Sequence, residues 1–119
     1  MTLRIAPALA GALAATAVAG AAAAGSLDIE GREFAFEPAR VEVEAGETTR
    51  ITFENTGAVS HNLTIPALDA ATETIQAGET ATLTVSPATT GTYEIRCTVP
   101  GHADAGMTGE LVVTEQAAG

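Results

Sequence analysis

From Ser26 onward the apolar residues alternate with polar ones, and this period of two constrains the fold more than any other feature of the chain. Leu27 and Ile29 alternate first. The phase slips at Gly31-Arg32, where a bulge or bend is expected, and Phe34 and Phe36 resume on the other parity. Val41 with Val43, Ile51 with Phe53, Leu63 with Ile65, Leu83 with Val85 and Tyr93 with Ile95 follow, and Leu111 to Val113 close the series. Ala45-Gly46-Glu47, Asn55-Thr56-Gly57, Ala77-Gly78-Glu79 and Thr90-Gly91 punctuate it as turns. No stretch carries a 3.6-residue stripe, although Pro66–Ala71 has room for one helical turn. VEAGETTRITF (Val43–Phe53) lines up with IQAGETATLTV (Ile75–Val85), which reads as one turn device used twice. The expectation is an all-β Greek-key sandwich of seven to eight strands.

The first 24 residues stand apart. Arg4 is followed by an uncharged Ala/Leu/Val run and then Ala22-Ala23-Ala24, the layout of a secretory signal with cleavage near Ala24. An uncleaved membrane anchor is the alternative, but Ala and Gly make the run weakly hydrophobic. Residues 1–24 are therefore read as a signal peptide and 25–119 as the single domain. The protein is expected to be exported, to the periplasm, the cell surface or the medium, with no membrane insertion after cleavage.

Charge removes several function classes. All 15 acidic residues follow position 25, and four Arg remain there, so the trimmed chain carries −11. A surface this acidic repels phosphate backbones and anionic lipid heads, which sets aside nucleic-acid and membrane-surface binding. Cys97 is the single cysteine, so no intramolecular disulfide forms. An exported thiol needs a reason to stay free. With two histidines, His61 and His102, a site needing three imidazoles is beyond this chain.

The residues able to ligate a soft metal fall in two places. One is Ser60-His61-Asn62. The other is Cys97–Met107, where Cys97, His102 and Met107 stand five and five residues apart. Singly each has an ordinary role: Cys97 a small buried hydrophobe, His61 a hydrogen-bonded core histidine, His102 a surface side chain, Met107 core filler. Together they converge. Parity turns Cys97 inward with Tyr93 and Ile95, at the end of its strand. His61 opens a strand on the inward side, and Met107 opens the last one. With antiparallel neighbours, all four meet at one pole of a sandwich. Two imidazoles and a thiolate in a plane, with a weak thioether beyond it, suit a copper ion cycling between Cu(I) and Cu(II). Zinc is the chemical competitor, although closed zinc sites take four strong ligands and Met is a poor one.

YEIRCTVPGHADAGMTGELVV (Tyr93–Val113), with SHN at Ser60–Asn62, resembles the cupredoxins, the small plastocyanin-like blue copper proteins, and the resemblance spans Ser26–Glu115. It implies an eight-stranded Greek-key sandwich, one copper ion held by His61, Cys97, His102 and Met107, and one-electron transfer rather than enzymatic turnover. It implies that Asn62, with Thr98 as counterpart, ties the two ligand loops together. It implies that His102 is the electron port, within a flat docking patch of Val99, Pro100 and Ala103. The expected partners are a redox donor and acceptor, such as a basic cytochrome, an oxidase or a reductase, met by a monomer. The competing function is a copper carrier or chaperone. Such proteins favour Met-rich or His-rich open sites, and this chain has one Met besides Met1. A copper enzyme with a second metal centre lacks the histidines, and nucleophilic catalysis by Cys97 leaves Met107 unexplained.

Overall fold

A computed structural model describes residues 25–116. The segment read as a signal peptide lies outside the described residues. Among those described, nine strands form two sheets: β1 (Gly25–Arg32), β2 (Ala35–Glu37), β3 (Arg40–Glu44), β4 (Thr49–Asn55), β5 (Thr64–Ile65), β6 (Ala70–Ala71), β7 (Thr80–Val85), β8 (Gly91–Arg96) and β9 (Thr108–Thr114). One sheet has the order β2-β1-β4-β7 and the other β3-β9-β8-β5-β6. The two-residue strands β5 and β6 flank a single 3₁₀ turn, Pro66–Leu68; β5 falls on the Leu63/Ile65 segment, and β6 alone has no alternating segment in the sequence. No described helix is long and apolar enough to cross a membrane.

The alternation becomes the core. Ile29, Phe36, Val41, Val43, Ile51, Phe53, Leu63, Ile65, Ile95, Leu111 and Val113 are all buried between the sheets. Each such side chain contributes roughly 1.5–3 kcal/mol by leaving water. The charged members of the same strands, among them Glu30, Glu42, Glu54, Glu94 and Glu110, face out. Arg40 lies 4.0 Å from both Glu42 and Glu110, and Arg96 lies 3.6 Å from Glu94. These pairs are exposed, so each adds little.

The repeated AGET segments make the same turn twice. Glu47 N–H donates to Glu44 O and Glu79 N–H to Gln76 O, at 3.2 and 3.0 Å. Gly46 and Gly78 hold φ of 83° and 86°, the left-handed position that a type II turn assigns to glycine. The strands that follow, β4 and β7, pair antiparallel from Thr49↔Val85 to Glu54↔Thr80.

The phase slip at Gly31-Arg32, expected as a bulge or bend, is a reversal of the chain. β1 and β2 form a hairpin, with Arg32 opposite Ala35 and Glu33-Phe34 at its turn. Phe36 is buried, but Phe34 is 40% exposed, because it sits in the turn and outside the β1–β2 ladder. This turn, the end of β4, the end of β8 and the start of β9 all lie at one pole, as the pairs Gly31↔Asn55 and Arg96↔Thr108 require. The far pole gathers Gly25↔Thr49 and Glu44↔Thr114.

Candidate metal centre

β8 runs antiparallel to both β5 and β9. Its exit at Cys97 therefore meets the entry of β9 and the segment that leads into β5. Three side chains converge there. His61, Cys97 and His102 each offer one ligand atom, and these atoms lie within 4.8 Å of one another. The two Nδ1 atoms, of His61 and His102, are 3.2 Å apart, and Cys97 Sγ is 3.6 Å from His102 Nδ1. His61 and Cys97 are fully buried, and His102 is half-buried.

Backbone bonds set each position. His61 and Ile75 exchange both of their N–H···O bonds, at 3.1 and 2.9 Å, as an isolated antiparallel bridge. Parity then sends His61, Leu63 and Ile65 to the same buried side. In the second loop, Cys97 N–H donates to Met107 O at 3.2 Å and Met107 N–H to His102 O at 3.0 Å. Between them the chain turns tightly, with His102 N–H on Val99 O and Gly106 N–H on Ala103 O. Met107 is fully buried beside this turn.

Asn62 joins the two loops. Its Oδ1 accepts from Thr98 N–H at 3.0 Å, and its Nδ2 donates to Thr98 Oγ1 at 2.9 Å and to Thr74 Oγ1 at 3.0 Å. Thr64 Oγ1 donates to the same Oδ1. Val99 and Ala103 are half-buried and Pro100 is exposed, next to His102.

Three residues of the pole escape a reading of the sequence. Asn55, fully buried, shapes the loop before His61: its Nδ2 donates to Val59 O and Ile75 O, and its Oδ1 accepts from Gly57 N–H. Phe34 meets the His102 ring edge-on, with centroids 4.9 Å apart. Glu33 reaches His61 from the hairpin turn, its Oε1 accepting from Nε2 at 2.8 Å. The same carboxylate accepts from the backbone N–H of Ala58 and of Val59. The Ala58 amide first, and then the His61 bond, hold the Glu33 carboxyl below its usual range against the opposing effect of partial burial. Asn55-Thr56-Gly57 has a turn signature that hints at Asn55. Nothing marks Glu33 among 15 acids.

Two imidazoles and a buried thiol, whose donor atoms lie within 4.8 Å of one another, form a donor set that suits one copper ion. Fold and donors thus define a small β-sandwich protein with a mononuclear metal pole. The chain belongs to the cupredoxin-like domain family, whose model matches residues 4–113, beginning inside the segment read as a signal peptide. The reduced auracyanin of Roseiflexus castenholzii superposes with a TM-score of 0.70 at 27% identity, covering 78% of this chain and 99% of that one. Auracyanin A of Chloroflexus aurantiacus, a "blue" copper protein, gives 0.65 at 29% identity, covering 75% and 98%. The copper-resistant cuproprotein CopI of Rubrivivax gelatinosus is 27% identical, over 66% of this chain and 59% of its own length. This chain thus spans about three fifths of that curated relative.

Proposed function

We propose that the protein is a blue copper electron carrier that works outside the cytoplasm. The convergence of buried His61 Nδ1, buried Cys97 Sγ and half-buried His102 Nδ1 carries this reading. His61, Cys97 and His102 would hold the copper ion, and Met107, fully buried at the loop's end, would add a weaker thioether donor. Copper, when bound, supplies a one-electron Cu(I)/Cu(II) couple. The chain supplies rigidity: Asn62 ties the loops through Thr98, and the Cys97–Met107 and His61–Ile75 backbone bonds fix the rest. Ligands held this way move little between oxidation states.

His102 is the port. Val99, Pro100 and Ala103 neighbour it in the same loop, Phe34 packs edge-on against its ring, and Phe34 and Val59 are 40% and 45% exposed. A redox partner docks against this patch, and the carboxylates on the outer sheet faces steer a basic one. The protein acts as a monomer and catalyses no reaction of its own, since the site uses both histidines and the cysteine of the chain. Export rests on residues 1–24, with Arg4, the apolar run and Ala22-Ala23-Ala24.

The visible spectrum of the purified protein after Cu(II) addition is the test. An intense thiolate-to-copper band, bleached by ascorbate, is the expected outcome. Colourless metal binding would overturn it. Similarity to a copper-resistant cuproprotein favours a second reading, a carrier that hands over the ion. Slow release of copper to a metal-free acceptor supports the electron carrier, and rapid transfer supports the second reading.

A further inference from the structure

The Glu33 carboxylate and His102 meet opposite nitrogens of the His61 ring: Nε2 faces Glu33 Oε1 at 2.8 Å, and Nδ1 faces His102 Nδ1 at 3.2 Å. An ionised carboxylate only accepts hydrogen bonds, so Nε2 must carry the proton. In a neutral imidazole the lone pair is then on Nδ1, the atom turned toward Cys97 and His102. The carboxylate itself is fixed. Ala58 N–H donates to its Oε1 and Oε2 at 3.0 and 2.9 Å, and Val59 N–H to Oε1 at 3.3 Å. Gly57 leaves the space it occupies, since a Cβ there would collide with Oε1. His61 is fully buried, and the Glu33 side chain is 32% exposed.

Resting on the copper reading above, we propose that Glu33 is a positioning residue: its carboxylate fixes the Nε2–H tautomer of His61 and, by its charge, strengthens Nδ1 as a donor. A hydrogen-bonded carboxylate behind a ligating imidazole orients the ring and raises its basicity. Negative charge next to a ligand favours the more positive oxidation state of the ion. Glu33 therefore biases the site toward Cu(II) and lowers its reduction potential. The hairpin turn that carries it thereby sets a property of a ligand 28 residues away.

Two measurements test this. The first uses the metal-free protein, whose ¹⁵N and ¹H resonances report the tautomer. His61 is expected as Nε2–H, with a slowly exchanging ring proton that Glu33→Ala loses. A wild-type His61 protonated at Nδ1 would overturn the proposal. The second is the reduction potential of copper-loaded Glu33→Gln, which keeps an oxygen acceptor and removes the charge. It is expected to lower the ratio of Cu(II) to Cu(I) affinity about tenfold, which raises the potential by about 59 mV. Glu37→Gln removes an exposed carboxylate near the same hairpin and is expected to leave the potential unchanged. An unchanged potential in Glu33→Gln, or an equal shift in Glu37→Gln, would overturn the proposal. A wild-type protein without the visible band would sink the copper reading instead, and the tautomer in the metal-free chain would still decide whether Glu33 positions His61.

Discussion

The two poles of the sandwich are built on opposite terms. At the site pole, buried polar atoms meet partners that satisfy them: Asn62 makes four hydrogen bonds, Asn55 three, and Glu33 draws three donors to one carboxylate. At the far pole, Glu44 and Glu47 stand close enough to repel. Partial burial first, and then the charge of Glu44, raise the Glu47 carboxyl above its ordinary range. One end is tied by hydrogen bonds between loops, and the other carries a pair of neighbouring carboxyls. The lesson is where the fold places its order: the sheets supply a frame, and hydrogen bonds between loops determine one end of it.

Substitutions at the two ends sharpen this contrast or break it. Cys97→Ala should have the largest effect, complete loss of the visible copper band, while far-ultraviolet circular dichroism stays that of the wild type. A residual blue band would remove the thiolate from the site. Next come the two histidines. His102 is half-buried and His61 fully buried. Added imidazole should restore the band of His102→Gly and fail to restore that of His61→Gly. Equal rescue, read by titration, would erase the difference in depth between the two ligands.

Asn62→Ala should be smaller. It strands Thr98 N–H and takes a partner from Thr74, at about 1–3 kcal/mol by chemical denaturation. It should also shift the copper potential, and an unchanged potential with unchanged spectrum would reduce the loop tie to plain stability. Smallest is Glu47→Gln, with the opposite sign. A carboxyl whose native pKa is raised costs stability once ionised, so that cost is full above the native value and absent below about pH 4. The variant should melt slightly higher at pH 7, and the gain should vanish in acid. A loss at pH 7 would mean the far pole is as finely matched as the site.

Much of the frame was legible in the sequence. Alternation named the strands, and the twin AGET segments named two turns. Cys97, His102 and Met107 were readable because they are close in the chain, so spacing stood in for geometry. Gly31–Phe36 was not, because a period-two pattern reports parity and nothing about direction. A hairpin and a bulge leave the same trace there, so Phe34 was expected inside and lies on the surface against His102. Glu33 was hidden for a different reason. Its significance is a contact across 28 residues, and an isolated acid in an acidic chain has no local signature.

The backbone bond between Cys97 and Met107 has a consequence of another kind. It closes the ladder just before the ligand loop departs, so residues 98–106 hang from a sealed doorway. With Thr98 and His102 kept, the other residues of this loop can be exchanged while the strands behind them keep their register. A designer of variants can therefore rewrite the rest of this short passage without touching the building it belongs to.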